Sequence, residues 1–197
     1  MKKLMLIALV TSCLTVYGME GAVMTSELPR PCAEVVHGQT LKPEPDTMFV
    51  GKEVARSNEI RHPMYDIPLD AALQEHIYNE CEKNGIVEYY PLILKQIKME
   101  SSFDPNATNG QYVGLMQLSR DNAEWAKSAF GYDSAYNPYC NTSAGICIMA
   151  GLLKKYGDPH KALMAYNLGE AGAQKLWNNN IYTTNYTILI ISTNLTF

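Results

Sequence analysis

The 197-residue sequence has no block of basic residues: sixteen Lys+Arg stand against twenty Asp+Glu, a formal net charge of -4. With nothing to neutralise a run of phosphates, nucleic acid is not an expected partner. Charge is scarce altogether, at 18% of residues, whereas 47% are hydrophobic, so the chain is too apolar for disorder and large enough for one ordinary core. A mean hydropathy of -0.16 speaks against several membrane spans. No stretch repeats at a fixed period, and the thirteen glycines and ten prolines are spread out, which removes solenoid, collagen-like and low-complexity architectures. No Cys-x-x-Cys or spaced histidine pair occurs, so no metal site is expected, and no cofactor is implied.

The long hydrophobic run of a membrane span is also missing. Met1-Lys2-Lys3 precedes the apolar stretch Leu4 to Val10, a basic start and a short core that read as an export signal over residues 1–18. Two processing routes stay open. Val16-Tyr17-Gly18 suits simple cleavage near Gly18, and Val10-Thr11-Ser12-Cys13 resembles a lipobox that would anchor the chain through Cys13. Either way the protein is expected to be exported across a membrane, outside the cytoplasm. Setting Cys13 aside, Cys32, Cys81, Cys140 and Cys147 form an even set in an exported chain. Cys140 and Cys147 are not expected to pair with each other, because seven residues of helix separate them by roughly 10 Å.

Residues 19–65 carry scattered prolines (Pro29, Pro31, Pro43, Pro45, Pro63) and no sustained period, which predicts a linker or partly ordered arm. From residue 66 to 197 the pattern becomes helical. Leu69, Leu73, Ile77 and Cys81 recur four apart up to Asn84-Gly85; Pro91 opens a second helix that reaches Glu100; a third spans Ser119 to Phe130 before Gly131. Asn141 is expected to cap a fourth, ending at Gly157, and Asp158-Pro159 starts a fifth through Tyr166. No segment alternates with period 2, so the fold class is all-α.

Glu100 falls three and seven residues after Ile97 and Ile93, on the apolar stripe of its helix and away from Lys95 and Lys98. Partial desolvation there raises a carboxyl's pKa, the property a general acid needs near neutral pH. The bland reading of Glu100 is a helix-end carboxylate turned to solvent. No convincing second carboxyl accompanies it: Asp104 before Pro105 reads as a turn residue, Asp121 and Glu124 suit the first turns of a helix, and Asp158 suits a cap. The four histidines lie scattered and supply no triad for Ser101.

Glu100-Ser101-Ser102-Phe103-Asp104-Pro105-Asn106-Ala107, then Gly114-Leu115-Met116-Gln117, then Ala165-Tyr166-Asn167-x-Gly169 resemble in order and spacing the signature blocks of the bacterial soluble lytic transglycosylase family. The resemblance covers about Leu69 to Tyr186. It implies a lysozyme-like α-domain that binds peptidoglycan glycan strands and cleaves the β-1,4 bond between N-acetylmuramic acid and N-acetylglucosamine, leaving a 1,6-anhydro ring. It implies Glu100 as the single catalytic acid and base, with Ser101, Met116, Gln117, Tyr166 and Asn167 at the substrate. In particular it implies that the Tyr166 hydroxyl orients the Glu100 carboxyl. One carboxyl suffices in that chemistry because the nucleophile is the sugar's own 6-hydroxyl, whereas an ordinary glycosidase needs two. The expected state is a monomer, with cell-envelope secretion or conjugation machinery as a conceivable partner.

The sequence departs from the family in two places. Thr108 to Val113 replaces the usual residues ahead of Gly114, and the end of the chain carries no charge after Lys175. Residues 186–197, rich in β-branched side chains, are therefore expected to form a strand-like or poorly packed, exposed tail, and removal of residues 187–197 is expected to leave solubility equal or better. Two rival functions share these features: a lysozyme-type hydrolase, and a non-catalytic peptidoglycan-binding protein.

Overall fold

Capping chemistry sets where most of the helices begin or end in the computed structural model, which describes residues 62–196. Helix α1, Ala71–Lys83, starts where the Asp70 side chain accepts from Leu73 N at 2.8 Å, and it stops at Asn84 before Gly85 turns the chain at φ +70°. A short 3-10 turn, Val87–Tyr89, leads into α2, Tyr90–Ser101, with Pro91 in its first turn, where a missing N–H does no harm.

A two-stranded hairpin follows, β1 (Tyr112–Val113) pairing antiparallel with β2 (Leu118–Ser119), Tyr112 opposite Ser119 and Val113 opposite Leu118. Strands of two residues show no alternation in sequence, which is why an all-α reading passes over them. The fold is otherwise helical, as expected. Ser119 caps α3, Arg120–Phe130, which ends on Gly131 at φ +72°. Helix α4, Pro138–Tyr156, ends at Gly157. Helix α5, Pro159–Trp177, is capped by Asp158 and breaks at Gly169, whose φ of 69° and ψ of 156° lie outside helical space. Helix α6, Asn185–Ser192, closes the chain behind a reciprocal capping box of Thr184 and Thr187.

Three expectations are corrected. The cap of α4 is Asn137, whose Oδ1 accepts from Tyr139 N and Cys140 N, because Pro138 suits the first helical position; Asn141 lies one turn inside, fully buried. The supposed arm ends earlier than residue 65: His62 stacks on Tyr78 at 4.7 Å, and Tyr65 is buried, with its N–H donating to Gln74 Oε1. The uncharged carboxyl end is not a strand-like tail. Within it α6 buries Thr187 and Ile190 completely, and Asp66 N donates to Thr196 O at 2.9 Å, so the segment is integral to the domain. The export signal over 1–18, Cys13 and the remainder of the arm lie outside the described residues.

Helix α4 occupies the middle of the fold. It is buried on nearly every side, with α1, α3 and α5 packed around it, which is how a helix apolar all round is accommodated. One core gathers α1, α2, α4 and α5 around Ile77, Leu94, Ile97, Met149 and Leu163. A smaller one lies under α3, where Ala126, Cys140 and Ala144 meet Trp125 and Phe130. Cys81 and Cys140 are free thiols, with burial holding Cys81 up at about 12, whereas Cys147 is disulfide-bonded.

Candidate active site

Glu100 sits in the last turn of α2, one residue before the helix ends in a left-handed turn: Ser102 has φ 54° and Phe103 φ 66°. Two consecutive non-glycine residues in that region are strained, and Phe103 is held there by burial of its ring. The Asp104 carboxylate accepts from Asn106 N at 2.9 Å, the turn role its sequence predicts. The same turn carries the chain off the helix and leaves the Glu100 carboxyl facing α5 and α6.

The carboxyl is partly buried, and desolvation lifts its pKa from 4.5 to about 7 against the opposing effect of one hydrogen bond. That bond comes from Tyr186 in the first turn of α6, whose hydroxyl donates to Glu100 Oε1 at 2.5 Å. No other ionisable group contributes to the shift. Tyr166 on α5 is the second phenol beside it. Burial and the Glu100 charge hold both phenols well above their usual pKa, so both stay protonated and able to donate. The carboxyl therefore titrates near neutrality among neutral donors, as a proton carrier must.

The sequence-predicted residues divide. Tyr166 lies beside Glu100, but its hydroxyl donates to Met116 O at 2.8 Å; the phenol that bonds the carboxyl is that of Tyr186, contrary to expectation. Met116 is fully buried rather than part of an open wall: it packs onto Gly145 of α4, where a Cβ would come within 2.3 Å of Met116 Sδ. Gln117, at φ 47°, directs its amide nitrogen to Ala107 O and Gly114 O, which closes the loop. Ser101 is buried and donates to Ile97 O one turn back within its own helix. Asn167 is partly exposed, one residue on from Tyr166 and just before the break at Gly169.

The Gly114 to Gln117 turn is fixed from α4. Asn141 Oδ1 accepts from Met116 N at 2.7 Å, and its Nδ2 donates to Val113 O and Ala135 O. At Gly114, φ +77° and the Asn141 side chain only 2.2 Å from an added Cβ both exclude any side chain. This lattice places Met116 O under the Tyr166 hydroxyl, so the hairpin turn, α4 and α5 jointly set one wall beside Glu100.

Sequence reasoning passed over Tyr186, Gln96 and Asn141 as site-building residues. The one local signal for Tyr186 is the Thr184-x-x-Thr187 pair, which marks a helix start in what otherwise reads as a β-rich tail. Among the described residues no group of three His, Cys, Asp or Glu could hold a metal ion, and no helix is long and apolar enough to cross a membrane.

A transglycosylase from Enterobacteria phage PRD1 is 35% identical over 79 residues, 40% of this chain and 28% of that protein. A solved inactive mutant of the lytic transglycosylase Slt from Pseudomonas aeruginosa matches with a TM-score of 0.48 and 18% identity, over 59% of this chain and 22% of the other. The chain thus spans about a quarter of the length of each. The transglycosylase SLT domain matches residues 77–189, from the middle of α1 into the Tyr186 helix, and on that match the chain belongs to the SLT transglycosylase family.

Proposed function

We propose that the protein is a peptidoglycan lytic transglycosylase that cleaves the N-acetylmuramic acid to N-acetylglucosamine β-1,4 bond without water, acting outside the cytoplasm. The observation that carries this reading is the single carboxyl poised near pH 7: Glu100 is desolvated, bonded by Tyr186, and influenced by no second carboxylate. Protonated Glu100 gives its proton to the glycosidic oxygen as that bond breaks. The resulting carboxylate then takes the proton of the muramic 6-hydroxyl as its oxygen closes on C1, which forms the 1,6-anhydro ring and returns Glu100 to its starting state. The tethered hydroxyl reacts at high effective concentration, so no second carboxylate is needed to activate a nucleophile.

Tyr186 accompanies both steps, because a phenol that stays protonated bonds the carboxyl and eases formation of the carboxylate. Tyr166 remains tied to the hairpin turn and shapes the wall beside Glu100. Asn167, partly exposed and next to Tyr166, meets the glycan.

Mass spectrometry of the muropeptides released from peptidoglycan tests the reading, with Glu100→Gln alongside. Anhydro ends that vanish in the variant are the expected result. Reducing ends would make the protein a hydrolase, and wall binding without release by either protein would make it a binding module.

A further inference from the structure

Gln96 stands one helical turn before Glu100 on α2, and residues four apart on a helix share a face. Its side chain is fully enclosed, and neither its amide nitrogen nor its amide oxygen has a partner of good hydrogen-bond geometry. Ile93, Leu94 and Ile97 around it are completely buried, so the fold alone would favour leucine here; an enclosed amide without partners is costly. The polar group nearest in influence is the Tyr186 phenol, whose pKa the Gln96 amide draws down.

The titratable groups that face the carboxyl are Tyr186 from α6 and Tyr166 from α5, and those that face Tyr186 are Glu100 and Tyr166. None of them is a cation. When Glu100 ionises, its charge has only neutral dipoles for support, and the single donor bonded to it is the Tyr186 hydroxyl. A phenol donates more strongly when its own oxygen accepts a hydrogen bond.

We propose that Gln96 is a positioning residue that acts on Glu100 through Tyr186, its amide N–H donating to the phenol oxygen while the phenol proton is held against the carboxylate. The enclosed amide, which satisfies no other polar group, tightens onto that oxygen as the carboxyl loses its proton. This rests on the reading of Glu100 as acid and base, and it adds a third member, contributed by α2 itself, to the Glu100 and Tyr186 pair.

The test titrates the Glu100 carboxyl by NMR in the full chain with carbon-13-labelled glutamate, its resonance assigned with Glu100→Gln. The wild-type chain is compared with Gln96→Leu, Gln96→Met, Tyr186→Phe and the Gln96→Leu/Tyr186→Phe pair. Both Gln96 variants should raise the midpoint by about half a unit or more, with the thermal midpoint of unfolding kept or raised, and the alkaline limb of kcat/KM should move with it. Adding Gln96→Leu to Tyr186→Phe should move the midpoint no further. An unchanged midpoint in the folded Gln96→Met chain would overturn the proposal, as would an equal shift in the Tyr186→Phe background. A wild-type chain that releases nothing from peptidoglycan would defeat the functional reading, while the titration would still decide the role of Gln96.

Discussion

Tyr186 and Glu100, 86 positions apart in the chain, meet in a 2.5 Å hydrogen bond that joins the last helix to the end of the second. The bond fixes the carboxyl's direction and opposes the burial that lifts its pKa to about 7. The carboxyl end of the chain is thereby part of the site.

Stability should depend on pH through Glu100. Its folded pKa, about 7, exceeds the ordinary 4.5, so the native state holds this proton more tightly than the unfolded chain does. The contribution is fully present below pH 4.5 and is lost as pH rises through 7, a change of about 3 kcal/mol at 1.36 kcal/mol per unit. Glu100→Gln, neutral throughout, should remove this dependence. Urea unfolding of both proteins at pH 5 and pH 8 checks it; equal pH dependence in the two would contradict the assignment.

Asn141 holds two backbone groups of the hairpin, Met116 N and Val113 O, and one of the loop before α4, Ala135 O. Asn141→Ala leaves them unpaired beside a cavity, at a cost of about 3 kcal/mol or more. Because Met116 O receives the Tyr166 hydroxyl, turnover should fall further than stability explains. Denaturation midpoints and peptidoglycan release at a temperature where both proteins are folded separate the two effects.

Gly145→Ala should be disruptive although alanine is the better helix former. The new methyl would lie 2.3 Å from Met116 Sδ and 2.8 Å from Met116 Cβ, and the latter cannot swing away. Overpacking of this kind costs about 1–3 kcal/mol, against about 1 kcal/mol of helix propensity gained. Gly151→Ala, on the same helix, is the control for propensity; a Gly145→Ala chain as stable as that control would show that the turn yields freely.

Removal of residues 187–197 should unfold or strongly destabilise the domain, the reverse of what its sequence suggests. Ile190 is completely buried, Thr187 Oγ1 meets His160 Nδ1 at 3.0 Å, and Lys95 donates to Ile191 O at 3.3 Å. Ile190→Ala alone should cost about 2–5 kcal/mol. Calorimetry of the truncated and substituted chains decides this; an unchanged transition would restore the view of a dispensable tail.

What the sequence determined by itself is local or motif-borne. Four-residue spacing located α1, Ser119 and Gly131 bounded α3, Gly157 stopped α4 and Asp158 capped α5, because these signals act within one or two turns. Glu100 was legible for the same reason, as a carboxyl on an apolar stripe whose following residues match a known block. Tertiary structure decided which partner each side chain took. Tyr166 and Tyr186 are both phenols able to reach a carboxylate, and only the packing of α6 against α2 gives the bond to Tyr186 while the turn held by Asn141 takes Tyr166. Residues 186–197 read as strand because β-branched side chains favour extended backbone, but burial of Ile190 and the Thr184 cap outweigh that weak local preference. Local propensities differ by tenths of a kcal/mol per residue, whereas burying one large side chain contributes about 1.5–3 kcal/mol, so the long-range contact prevails.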